Sequence, residues 1–90
     1  MIFIGNVKIT KGYDHWKNNY IDGQIMRDKI GLKTLAYGHA KDDVNWVWTC
    51  FEFSGSRDQL MQAIGTEEFI KLREAAGADL STQQMIELVE

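Results

Sequence analysis

The segment Val44–Phe53, Val-Asn-Trp-Val-Trp-Thr-Cys-Phe-Glu-Phe, constrains this chain more than any other. Its aromatic and β-branched content marks a strand, and side chains along a strand alternate between two faces. Trp46, Trp48, Cys50 and Glu52 fall on one face; Val47, Thr49, Phe51 and Phe53 fall on the other. Large apolar groups on both sides require a cover on each, and the whole chain has 90 residues. A domain of that length hides only roughly 60–65% of the surface its unfolded chain exposes, so a second subunit is the expected source of one cover.

The rest of the chain reads as one domain, residues 1–90, without repeats, low-complexity tracts or proline. Ile2–Thr10 alternates as a strand, with Phe3, Val7 and Ile9 on the side interrupted by Gly5, and Ile2, Ile4, Asn6 and Lys8 on the other. After Lys11-Gly12, Tyr13, Trp16, Tyr20, Ile21 and Ile25 recur at helical spacing, and this helix is expected to end between Gly23 and Asp28. Ile30–Ala40 predicts a second strand, with Leu35 and Tyr37 on one face. Lys41-Asp42-Asp43 turns it into the opening segment as a hairpin. Ser54-Gly55-Ser56 breaks the strand pattern and offers a hydroxyl N-cap for a short helix carrying Leu60, Met61 and Ile64, and Thr66 caps a second carrying Phe69, Leu72 and Ala76. Gln83–Val89 predicts the last strand. The order is α+β, a ferredoxin-like β-α-β-β-α-β arrangement with helices on one face of a four-stranded antiparallel sheet. Its other face would expose Ile2, Ile4, Trp46 and Trp48, a patch that monomers rarely tolerate.

Charge excludes one class of partner. Ten basic and thirteen acidic residues give a net −3 with no basic run, so counterion release offers no drive toward nucleic acid. No apolar run reaches membrane-spanning length, and the start lacks the pattern of a signal peptide, so a cytoplasmic location without membrane contact is expected. The single cysteine, Cys50, fits a reducing compartment.

With these elements in place, Phe51–Gly77, "FEFSGSRDQLMQAIGTEEFIKLREAAG", together with the opening "VKITKG", resembles the dimeric α/β-barrel superfamily, in particular small proteins of the antibiotic-biosynthesis-monooxygenase type. The resemblance implies two copies joined sheet to sheet in an eight-stranded barrel, with a ligand cleft between each sheet and its own helices. It assigns Ile4, Trp46, Trp48 and Cys50 to the dimer interface. It does not extend to the superfamily's haem-degrading members. Their strand-one asparagine, helix tryptophan and histidine ligand correspond here to Gly5, Ala63 and Arg73, and arginine is no axial haem ligand. No cofactor is expected.

Candidate site residues follow from chemistry and position. His15, beside Asp14 on the first helix, is a candidate proton carrier because histidine as a residue type suits proton transfer near neutral pH, against the ordinary reading of a solvated helix-surface histidine. Tyr20 and Arg73 are the other polar candidates for proton work. Gly5 in a strand facing the helices leaves missing volume, so Gly5, Trp16, Tyr20, Tyr37 and Phe51 are expected to line an apolar pocket with tyrosine hydroxyls as polar handles. Aromatic residues at helical spacing are more often plain core. His39 near Asp42 and Asp43 suggests a turn and not a metal site, and no metal is expected. Cys50 reads as a small apolar filler, and Glu52 as a cross-strand partner of Lys8 or Lys33. The functional expectation is small-molecule binding by a homodimer, with a cofactor-independent monooxygenase or isomerase as the alternative.

Overall fold

In the computed structural model, which describes residues 1–90, eight elements follow one another: β1 (Ile2–Ile9), α1 (Tyr13–Asp22), α2 (Gln24–Lys29), β2 (Leu32–Ala40), β3 (Asp43–Phe53), α3 (Arg57–Ile64), α4 (Glu67–Ala75) and β4 (Ala78–Leu88). The strands form one antiparallel sheet in the order β2-β3-β1-β4, the ferredoxin-like arrangement. Each of the two helical crossovers is split in two. The first splits at Gly23, whose own backbone is helical. Helical spacing continues there, but the axis is redirected. Ile21 and Ile25, expected to face inward, are 50% and 69% exposed, and α2 buries Arg27 instead.

The second crossover is built on its caps. Ser56 Oγ accepts from Gln59 N while Gln59 Oε1 accepts from Ser56 N, a complete capping box, and Thr66 Oγ1 accepts from Phe69 N. Gly77 closes α4 at φ 89°, where a side chain would also strike Lys11. Its carbonyl accepts from Thr10 N at 2.8 Å, tying the end of β1 to the start of β4.

Strand β2 carries an irregularity that sequence alternation does not reveal. Thr34 pairs with Phe51 and Ala36 with Cys50, so Leu35 is an extra residue opposite the ladder, a β-bulge. Beyond it the alternation is inverted. Tyr37 and His39 pair with Thr49 and Val47 on the helix side, while Ala36 and Gly38 lie on the other face beside Cys50 and Trp48. Leu35 and Tyr37 therefore do not share a face, and Leu35 is exposed. Strand β4 begins five residues before the expected Gln83, but its ladder with β1 is interrupted between Asp79 and Gln84. There Lys8 N donates to Thr82 Oγ1, and that hydroxyl donates to Asp79 O, so a side chain takes a ladder position.

The core divides into two clusters on the helix side of the sheet. Phe3, Leu32, Phe51, Phe53 and Leu60 form one; Ile9, Trp16, Val47 and Ala76 form the other. Phe3, Gly5, Val7 and Ile9 share one face of β1, and Gly5 falls between the clusters. The missing side chain at that point leaves the core in two parts.

Candidate functional site

A cleft of about 110 Å³ lies where the two clusters fail to meet, between the sheet and its helices. Gly5 has Thr49 and Met85 as its cross-strand partners, and both line the cleft. Gly5 itself contributes no surface to it. A Cβ at that position would meet Thr49 Oγ1 at 3.5 Å and Phe51 Cε1 at 3.9 Å, ordinary contacts, so the floor has room above it. Trp16, Tyr20 and Phe51 are in the wall as expected, joined by Phe69 and Leu72 from α4.

Tyr37 is not in the wall. The bulge at Leu35 turns it toward α1, where its ring packs on the far side of the Trp16–Tyr20 stack, 5.9 Å and 5.4 Å from the two ring centroids. His15 also stays outside. Its Nε2 is 2.7 Å from Ala75 O at the end of α4, a bond in which the ring must donate, so His15 ties α1 to α4 and does not reach the cleft.

The polar groups of the cleft come from elsewhere. The Tyr20 hydroxyl is 2.8 Å from Thr34 Oγ1, and burial raises its pKa above the ordinary tyrosine value, with Thr34 and the Arg27 charge opposing. Arg73 is in the wall, bonded to Gln83, and burial lowers its pKa below the ordinary arginine value. A guanidinium donates and does not accept, so Arg73 can hold an anion but cannot act as a base.

Arg27 is the residue that sequence reasoning missed. Only 7% exposed, it lies with its guanidinium carbon 3.7 Å from the Tyr20 ring centroid and donates to Tyr20 O and Gln24 Oε1. Burial lowers its pKa too, against the opposing influence of Tyr20 and Asp28. The signal was present: Trp16, Tyr20, Gly23 and Arg27 follow the four-three-four spacing of a single helical stripe, so Arg27 continues the buried face. No aspartate, glutamate or histidine lines the cleft.

The opposite face of the sheet is uncovered. Ile4, Trp46, Trp48 and Cys50 share it through the β1–β3 register, extended by Ile86 and Leu88 of β4. Trp48 is 41% exposed beside a hollow lined by Ala36, Gly38 and Cys50. Asn6 Oδ1, between Trp48 and Gln84 in the register, is buried without a hydrogen-bond partner. Glu52 forms no ion pair: Lys33 lies across from it in the ladder, while Lys8 reaches over the Trp46 ring.

These features place the chain among known structures by fold. A provisionally assigned antibiotic biosynthesis monooxygenase from Bordetella bronchiseptica superposes with a TM-score of 0.75 at 10% identity, covering 99% of this chain and 96% of its own. Another structure described as an antibiotic biosynthesis monooxygenase matches over all of both chains, with a TM-score of 0.63 and 21% identity. SnoaB, a cofactor-independent oxygenase from Streptomyces nogalater, matches at 0.65 and 7% identity over 99% of this chain and 92% of its own. The chain has the antibiotic-biosynthesis-monooxygenase fold. No family model and no curated protein matches its sequence. The same fold also matches a nipsnap family protein of unknown function from Agrobacterium tumefaciens, with a TM-score of 0.64 at 10% identity over 94% of this chain and 82% of that one. The fold therefore carries no single activity.

Proposed function

We propose that this protein is a cytoplasmic homodimer that binds a small, mainly apolar molecule in the cleft between each sheet and its helices. The cleft at Gly5 carries this reading, because a core packed to ordinary density would have filled it. Its volume is below the ~150 Å³ of an engineered apolar cavity that takes up benzene, which limits the occupant to about one ring. Dimerisation is supported by the uncovered face. Trp48 stands beside the hollow over Ala36 and Gly38, a projection and a recess on one surface, which suits a two-fold interface. The orphaned Asn6 Oδ1 would gain a donor from the partner sheet or from trapped water.

A cofactor-independent monooxygenase or isomerase is the second reading, supported by the Tyr20 hydroxyl and the Arg73 guanidinium at the cleft. In that chemistry the arginines would stabilise a substrate anion, and the proton would have to leave through the substrate or water, since the cleft offers no carboxylate or imidazole.

Native mass spectrometry of protein purified without added ligand tests the main reading. The expected species is a dimer carrying a small-molecule adduct, and Gly5→Leu, which fills the cleft floor, is expected to remain dimeric without it. A wild-type protein that is monomeric and free of adduct at micromolar concentration would contradict both parts.

A further inference from the structure

Arg27 and Arg73 line one cleft, and no carboxylate lies within ion-pair distance of either; the only ion pair in the chain joins Lys71 to Glu67 on the surface of α4. This is an unusual allocation for a protein with thirteen acidic residues and a net charge of −3. Arg27 is buried and Arg73 half-buried, Asp28 acts on Arg27 only from beyond ion-pair distance, and a charge largely removed from water without a paired counter-charge is costly. The protein's own acceptors satisfy only part of each guanidinium. Arg27 directs Nε and Nη2 to Gln24 and Tyr20, but its Nη1 has no acceptor; Arg73 directs Nη2 to Gln83, and its Nε and Nη1 have none. Holding Tyr20 O at the end of α1 gives Arg27 a structural role, yet that role uses one nitrogen and needs no second arginine in the same cleft.

We propose that the cleft is selective for a small planar carboxylate, a single aromatic ring bearing one carboxyl group, whose oxygens take the free N–H groups of Arg27 and Arg73. This rests on the reading of the cleft as a small-molecule site. Aromatic walls from Trp16, Tyr20 and Phe51 accommodate the ring. The volume of about 110 Å³ leaves no space for a polycyclic acid. Guanidinium forks recognise carboxylates through paired, charge-assisted hydrogen bonds, which strengthen where water is excluded.

The test compares benzoate with its neutral isostere benzamide by calorimetric titration and amide chemical-shift mapping on the wild-type protein. Benzoate is expected to bind at least roughly tenfold tighter, with shifts at residues around Gly5, Arg27 and Arg73, and Arg73→Gln is expected to abolish that preference by weakening benzoate more than benzamide. Equal binding of the two compounds at the cleft would overturn the charge selectivity and leave the small-molecule reading intact. Failure of both to bind would overturn both. The thermal stability of Arg73→Gln is measured alongside; the isostere comparison on wild-type protein decides the proposal whether or not that variant folds.

Discussion

On the helix side of the sheet the chain buries Phe3, Val47 and Leu60 completely, and what it leaves unmatched there is charge: two arginines with no carboxylate in ion-pair contact. On the opposite side it leaves apolar surface unmatched, with Trp48, Ile86 and Leu88 from 41% to 55% exposed, and one polar atom, Asn6 Oδ1, without a partner. The two deficits call for different kinds of molecule. An apolar face several residues wide is matched by another such face, whereas guanidiniums beside a one-ring cleft are matched by a small anion. On the proposed function, a single sheet would separate a surface for association from a surface for ligand, and each side is expected to respond to substitution without the other.

The largest expected effect is on association. Trp48→Glu places an unpaired charge in the proposed interface at a cost of about 3–5 kcal/mol, enough to shift the sedimentation coefficient to that of a monomer while benzoate binding persists in whatever remains folded. If sedimentation is unchanged, the open face is not the interface. Leu60→Ala probes the other side. Deleting a fully buried side chain between α3 and the sheet is expected to cost about 3 kcal/mol, on the order of 15 °C in Tm, with no change in the subunit number of the folded protein. A Leu60→Ala protein that dissociates without losing stability would mean that the two faces are coupled after all.

The smallest effect sharpens the cleft side alone. Burial raises the Tyr20 pKa in the folded protein, so the folded chain keeps a proton that the unfolded chain loses first. The resulting contribution to stability is whole below the ordinary tyrosine value of about 10 and disappears as pH rises through the folded value. Urea midpoints are therefore expected to fall between pH 9 and 11, and to fall less in Tyr20→Phe. An equal fall in both would place the alkaline sensitivity elsewhere.

Period-two alternation was enough to locate all four strands, and hydroxyl caps at Ser56 and Thr66 marked the two helices after β3, because these signals are local. Trp16, Tyr20 and Phe51, expected in a pocket from their place on inward faces of regular elements, lie in the wall of the cleft, and so does Arg73, which was singled out only through the family resemblance. Leu35 and Tyr37 were expected on one face because a bulge is a property of two strands in register, and nothing in the β2 sequence announces that Leu35 will be skipped; Tyr37 does reach the helix side, but there it packs on Trp16 and Tyr20 and not in the cleft wall. Arg27 was missed because a charge on an apolar stripe is ordinarily assigned to solvent even where its spacing continues the buried face, and the packing of Tyr20 against it is what overrides that assignment. Gly5 was correctly suspected of leaving volume, but its contribution is an absence: Thr49 and Met85 form the walls that it leaves room between.

The irregularities in β2 and β4 have a consequence for how large an assembly this chain can build. These two strands are the margins of the sheet, and an unbroken margin would accept further strands without limit, the route to fibres. The skipped Leu35 on one margin and the hydroxyl-filled gap at Lys8–Thr82 on the other both spoil the even spacing that such growth needs. With its margins blunted, the proposed dimer would join copies through the broad apolar face alone, and a face used by two copies is then used up. Assembly of that kind would stop at a closed particle.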